Sequence, residues 1–108
     1  MKVIKGVLEE ELENSLRMKK EYEKAINALP KGALVKKEIR GHSYYYLMQR
    51  EGIKVKFAYK GKLSKEEIKR HEEVKKLRAK YRNLLSQVKK QIAFLRKALR
   101  GKEIRSIS

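Results

Sequence analysis

The chain has 108 residues, the length of one domain with a modest core, and we expect a single domain over residues 1–108. Its 30 lysines and arginines outnumber 13 acids, all of them glutamate, so the net charge of +17 predicts a polyanionic partner, with nucleic acid the first candidate. Because the sequence contains no cysteine and no aspartate, it excludes zinc fingers, disulfide frameworks and thiol nucleophiles, and it lacks the usual carboxylate of two-metal nucleases.

The first predicted element is a helix over residues 7–29. Apolar residues recur there at helical spacing: Leu8, Leu12, Leu16, Tyr22, Ile26 and Leu29. Pro30 ends the helix, because proline disfavours helix in the residue before it and lacks an amide donor. The apolar run before this helix is too short for a signal peptide, and no segment approaches the roughly 20 apolar residues of a membrane span. We therefore expect a cytoplasmic protein with no membrane partner.

A three-stranded antiparallel meander is predicted over residues 33–60. Its strands cover residues 34–39, 42–50 and 53–59, joined by two-residue turns at Arg40-Gly41 and Glu51-Gly52. These turns predict that Ile39 lies opposite His42 and that Arg50 lies opposite Ile53.

This pairing sorts the strand residues onto two sides of the sheet. One side collects Val35, Ile39, Tyr44, Tyr46, Met48, Val55, Phe57 and Tyr59. We expect it to pack on the helices, because alternating aromatic residues commonly fill the inner side of a half-buried sheet. The other side collects Leu34, Lys36, Glu38, Tyr45, Leu47, Gln49, Lys54, Lys56 and Ala58. Tyr45 is then the outward tyrosine, and a slip of one residue would invert both assignments.

A long helix is predicted over residues 64–100, followed by a short basic tail over residues 101–108. Ser64 and Glu67 form a capping box, and Leu63 can pack on Ile68 as a hydrophobic staple. A heptad rhythm follows, with Gln91 as its polar member: Val74, Leu77, Tyr81, Leu84, Val88, Gln91, Leu95 and Ala98. Gly101 is the predicted terminus.

The fold class predicted from these elements is α+β: an N-terminal helix, a three-stranded meander and a long C-terminal helix. The charges of the helices favour an antiparallel, coiled-coil-like hairpin, with the acidic start of the first beside the basic end of the second. Since the second helix is longer, we expect it to overhang and to leave apolar residues 92–99 uncovered. A homodimer through the long helix would cover them.

The candidate nucleic-acid contacts lie on the basic side of the sheet and on the long helix. The sheet offers Lys36, Arg40, Tyr45, Gln49, Lys54 and Lys56, and the helix offers Lys75, Arg78, Lys80, Arg82 and Lys89. Glutamine, lysine and arginine can read base edges in a major groove while lysines hold phosphates, and tyrosine can contact a base, a sugar or a phosphate. The alternative is a solvated surface on which lysine protects the sheet edges from aggregation.

The sequence offers little material for catalysis, and we expect no enzyme, no cofactor, no metal and no small-molecule substrate. His42 and His71 are isolated in the sequence and fit surface histidines better than a ligand or a base. Tyr45 as a nucleophile on phosphorus would need a cluster of Arg or His that the sequence does not assemble. The glycines are dispersed as turn residues rather than gathered in a phosphate loop.

Residues 29–64, LPKGALVKKEIRGHSYYYLMQREGIKVKFAYKGKLS, and the long charged helix after them carry a family pattern. The pattern is an LPKG start, a YYYL strand, an REG turn and a K-x-x-Y-x-G ending at Lys56, Tyr59 and Gly61. It resembles a small prokaryotic, archaeal-type domain family of unknown function. The hairpin also resembles the leading segment of some transposases, and the sheet with its helix is similar in topology to integrase arm-binding and AP2-like DNA-binding domains. The topological resemblance implies a DNA-binding fold and no function by itself.

The sequence thus predicts a non-enzymatic protein that binds double-stranded DNA through a basic sheet and a basic helix surface. Two alternatives remain open. One is a coiled-coil adaptor or oligomerisation module whose sheet binds a protein. The other is an RNA-binding module, because sequence alone does not separate a surface that reads shape from one that reads a groove.

Overall fold

The computed structural model describes the backbone of residues 2–107 and the side chains of residues 3–101. The elements follow the order α1 (Lys2–Ala28), β1 (Ala33–Ile39), β2 (His42–Glu51), β3 (Lys54–Gly61) and α2 (Lys65–Ile107). The strands form one antiparallel sheet in the order β1-β2-β3, and α2 packs against α1. The predicted α+β class is therefore confirmed.

The chain divides into two compact units. One contains α1 together with the part of α2 from Lys80 onward, and the other contains residues 29–79. The prediction of a single domain stays a prediction.

Two contacts show that α1 and α2 run antiparallel, as predicted. Gln91 donates a hydrogen bond to Ser15, and the rings of Tyr22 and Tyr81 lie 6.3 Å apart. Moving along α1 from Ser15 to Tyr22 therefore means moving back along α2 from Gln91 to Tyr81. A heptad coiled coil is a finer prediction than this pairing and stays a prediction.

The buried apolar core of the helix pair lies on α2 and overlaps the stretch that the sequence predicted to be uncovered. It consists of Val88, Ile92, Leu95 and Leu99, each at most 9% exposed. The predicted apolar overhang is wrong because the pairing of Ser15 with Gln91 places residues 92–99 of α2 beside the first half of α1. At a rise of about 1.5 Å per residue in both helices, the stretch of α1 from Ser15 back to Val7 is as long as the stretch of α2 from Gln91 to Leu99, so the predicted first helix already reaches that far. The homodimer stays a prediction and loses this support.

Helix α2 begins at the predicted cap and runs past the predicted terminus. The backbone N–H of Glu67 donates to Ser64 Oγ at 3.2 Å, which satisfies one of the free donors at the helix start. Helix continues through Gly101 to Ile107, although residues 101–108 were predicted as a tail. Gly101 does not adopt the left-handed conformation that ends a helix, and a glycine within a helix costs only about 1 kcal/mol relative to alanine. The side chains beyond Gly101 lie outside the described residues.

The first hairpin has the predicted register, and the second is shifted. Ile39 pairs with His42 across a turn in which Arg40 and Gly41 have φ of 52° and 79°. In the second hairpin Arg50 pairs with Val55, not with Ile53. The predicted turn would have placed Glu51 at the first central position, where hairpin turns need a positive φ; Gly52 holds that position instead, with a φ of 63°. The shift moves the pairing by two residues, so every side chain keeps its predicted side.

Candidate nucleic-acid interface

The strand register sorts the sheet into two sides, and the predicted grouping is confirmed. The open side carries Val35, Lys37, Ile39, His42, Tyr44, Tyr46, Met48, Arg50, Val55, Phe57 and Tyr59. The lysine side carries Leu34, Lys36, Glu38, Ser43, Tyr45, Leu47, Gln49, Glu51, Lys54, Lys56 and Ala58. Alternation along a strand places each set on one surface.

The open side is exposed, so the prediction that it packs on the helices is wrong. Its apolar side chains outside the tyrosine pair of β2 are between 36 and 61% exposed: Val35, Ile39, Met48, Val55, Phe57 and Tyr59. Tyr44 and Tyr46 are half-buried, and their rings lie 6.4 Å and 5.3 Å from the ring of Tyr59. These side chains form an exposed apolar surface on this side of the sheet.

The lysine side is the side that the rest of its unit partly covers. Leu34, Tyr45 and Leu47 are half-buried there. Tyr44 and Tyr46 on the open side are half-buried as well, so the prediction that Tyr45 is the outward tyrosine stays a prediction. A β-carbon at Gly32 would lie 3.0 Å from Leu47 Cδ1, which shows how closely the chain before β1 passes over this side.

Arg78 on α2 forms hydrogen bonds with the segment that precedes β1. Its guanidinium donates to the carbonyl oxygen of Gly32 at 3.4 Å and to the carbonyl oxygen of Pro30. The guanidinium of Arg78 therefore holds the connection between α1 and β1, a role that its sequence position did not reveal.

The open side presents a cluster of aromatic rings. The rings of Tyr46 and Tyr59, which pair across β2 and β3, have centroids 5.3 Å apart at an interplanar angle of 56°. Tyr44 lies 6.4 Å from Tyr59 on the diagonal, and His42 lies 6.5 Å from Tyr44. Phe57 continues the row along β3 beside Tyr59, two residues away on the same side.

The charges of the sheet are divided unevenly between its two sides. Both strand glutamates, Glu38 and Glu51, lie on the lysine side, where they form ion pairs with Lys36 at 3.3 Å and Lys56 at 2.9 Å. The open side carries the cations Lys37 and Arg50 and no acid. Exposed ion pairs contribute little to stability, but each one offsets a charge that a phosphate would otherwise meet.

The predicted sheet contacts Lys36, Tyr45, Gln49, Lys54 and Lys56 are brought together on the lysine side, as expected. Arg40 lies apart from them in the turn between β1 and β2. All of these except Tyr45 are exposed. Their binding role stays a prediction.

The predicted helix contacts differ in their availability. Lys75 and Arg82 are exposed on α2, whereas Arg78 is half-buried and engaged with backbone carbonyls. Lys75 and Arg78 belong to the unit of the sheet, and Arg82 belongs to the unit of the helix pair. Their phosphate contacts also stay a prediction.

A shallow groove of about 360 Å³ opens beside the aromatic cluster. It is lined by Val35, Lys36, Lys37, Tyr46 and Phe57. Sequence reasoning missed this surface because it counted the aromatic alternation as core; the signal that could have identified it is the absence of acids among the same alternating residues.

Within residues 3–101, no three His or Glu side chains are grouped closely enough to hold a metal ion. None of the described stretches of helix combines the length and apolar character that crossing a membrane requires. No protein-family model, curated protein or solved structure matches the chain. The resemblance to the archaeal-type domain family stays a prediction.

Proposed function

We propose that this protein binds nucleic acid and catalyses no reaction. The observation that carries the proposal is the surplus of accessible positive charge. The sequence has 30 bases and 13 acids, and no lysine or arginine side chain in residues 3–101 is buried. Such a surface attracts a phosphate backbone through the release of condensed counterions.

Few of the charges in residues 3–101 are neutralised by ion pairs. Over the described side chains, the ion pairs are Lys19–Glu23, Lys36–Glu38 and Lys56–Glu51. The remaining surplus favours a polyanion over an acidic protein surface, because a polyanion supplies many phosphates at regular spacing.

A salt-titrated binding assay tests the proposal. Fluorescence anisotropy would measure binding to random duplex DNA, single strands and structured RNA between low and physiological salt. We expect micromolar or tighter binding with a slope of log K on log salt steeper than about −2, equivalent to about two phosphates on a duplex or about three on a single strand. Absence of binding to all three ligands at low salt would contradict the proposal.

The second candidate function is a protein-binding module, which the exposed apolar side of the sheet favours. The same protein sample, used to search for a protein partner, distinguishes this candidate from nucleic-acid binding. A partner that binds this side and is insensitive to salt, together with no retention of nucleic acid, would favour the second candidate.

A further inference from the structure

The open side of the sheet combines three properties that call for one explanation. It is exposed and aromatic, it carries cations, and it lacks acids. A surface meant only for solubility would not expose Phe57 at 60% and Tyr59 at 61%, and a surface meant to bury against another apolar surface gains nothing from Lys37 and Arg50.

We infer that the open side is a stacking surface for unpaired nucleobases, so that the ligand is a single-stranded nucleic acid. The inference rests on the proposed function and names its site. Bases have apolar faces that stack on aromatic side chains, and their phosphates lie within reach of flanking cations. Phe57 and Tyr59 are the exposed rings that offer stacking, and Lys37 and Arg50 are the cations on the same side.

The spacing of the rings suits successive bases. Residues two apart on a strand lie about 6.8 Å from each other, so Phe57 and Tyr59 can each receive a separate base. The Tyr44 and Tyr46 rings stand within 6.4 Å and 5.3 Å of Tyr59 and support it from the neighbouring strand. The groove beside Phe57 lies next to this row and offers space for an inserted base.

Duplex DNA does not suit this surface. In a duplex the base faces are stacked on one another, so a protein meets only base edges and the backbone, which polar and charged side chains read. The lysine side has such groups, but Glu38 and Glu51 offset its Lys36 and Lys56. The structure thus moves the expected site from the side of Tyr45 to the side of Tyr59.

The protein contains two phenylalanines with nearly equal exposure, which supply a matched control. Phe57 on the open side is 60% exposed, and Phe94 on α2 is 66% exposed. Because neither ring is packed in a core, we expect Phe57→Ala and Phe94→Ala both to fold and to melt near the unchanged protein. A melting curve for each variant checks this before binding is measured.

The experiment measures the affinity of the full chain and of both variants for labelled oligo-dT, oligo-U and a duplex. The strands have about 15 nucleotides, enough for the 4–16 that a single binding domain covers. We expect Phe57→Ala to weaken binding to single strands by about 5- to 150-fold, the loss of one stacked base, and to leave duplex binding unchanged. Phe94→Ala should leave both unchanged. The ratio of the dissociation constants for oligo-dT and oligo-U shows whether the protein prefers DNA or RNA.

Each result distinguishes the inference from the proposed function. Salt-dependent binding that Phe57→Ala and Phe94→Ala leave equally intact would overturn the inference alone, as would a chain that prefers the duplex. Loss of all binding to nucleic acid by the unchanged chain would overturn both. Sedimentation of the unchanged chain as a dimer that Phe57→Ala converts to a monomer would assign the open side to a second copy and would also overturn the inference. Should Phe57→Ala melt early, Tyr59→Ala serves as the second variant, with the same expected loss.

Discussion

Gln91 donates a hydrogen bond of 3.1 Å from Nε2 to Oγ of Ser15, which is 1% exposed and lies between α1 and α2. Gln91 is the polar member of an otherwise apolar heptad pattern, and Ser15 is its partner on α1. A polar pair within a helix interface contributes to stability mainly because either group costs free energy when it is left unpaired. It also favours one register of the two helices over others.

Replacing Gln91 tests this pair. Gln91→Ala leaves the buried Ser15 hydroxyl without its donor, so we expect the free energy of unfolding to fall by about 1–3 kcal/mol in chemical denaturation. Gln87→Ala is the control, because Gln87 is an exposed glutamine, as Gln91 is, and lies one turn earlier on the same helix. If the free energy of unfolding falls by the same small amount in both variants, the hydrogen bond between Gln91 and Ser15 does not stabilise the fold. A double-mutant cycle with Ser15→Ala should show a coupling of about 0.5 kcal/mol or more.

Arg78→Ala should destabilise the unit of the sheet. The variant loses the donors to the carbonyls of Pro30 and Gly32, and we expect a loss of about 1–2 kcal/mol in the free energy of unfolding, reduced by the partial exposure of Arg78. Arg82→Ala is the matched control, since Arg82 is an exposed arginine on the same helix. Equal stability of the two variants would contradict the structural role of Arg78.

The two sides of the sheet should respond differently to truncation. Leu47→Ala removes a half-buried side chain from the lysine side, and we expect a loss of about 1–2 kcal/mol, below the cost at a fully buried leucine. Phe57→Ala on the open side should change stability by less than about 0.5 kcal/mol. Thermal unfolding measures both. A larger loss for Phe57→Ala would mean that the open side is the packed one.

Neighbouring lysines on β1 separate the two sides in binding. Lys37 lies on the open side, whereas Lys36 lies on the lysine side in an ion pair with Glu38. We expect Lys37→Ala to weaken binding to single strands and to lower the steepness of the salt slope by about 0.7, the contribution of one phosphate. Lys36→Ala should change the slope less. The opposite order would place the nucleic acid on the lysine side.

Local signals in the sequence predicted much of the fold. Arg40-Gly41 predicted the pairing of Ile39 with His42, and Ser64 predicted the start of α2, because a tight turn and a helix cap are each specified by a few adjacent residues. The alternation of side chains along the strands also predicted correctly which residues share a side of the sheet.

The choice of the covered side could not be made in this way. Alternation has the same period whichever side is packed, so it leaves that choice to tertiary contacts such as the bond from Arg78 to the carbonyl of Gly32, a residue distant in sequence. The aromatic row including Phe57 was therefore taken for core. The uncovered overhang failed for a related reason, since it depended on which part of α2 lies beside α1, and tertiary contacts such as the bond from Gln91 to Ser15 set that register.

The two phenylalanines also provide the most direct measurement of where the ligand binds. Fluorine-labelled phenylalanine gives one resonance for Phe57 and one for Phe94, because the sequence contains no other phenylalanine. During titration with oligo-dT, we predict that the Phe57 resonance shifts to saturation while the Phe94 resonance stays in place. Saturable binding that leaves the Phe57 resonance unmoved would contradict it.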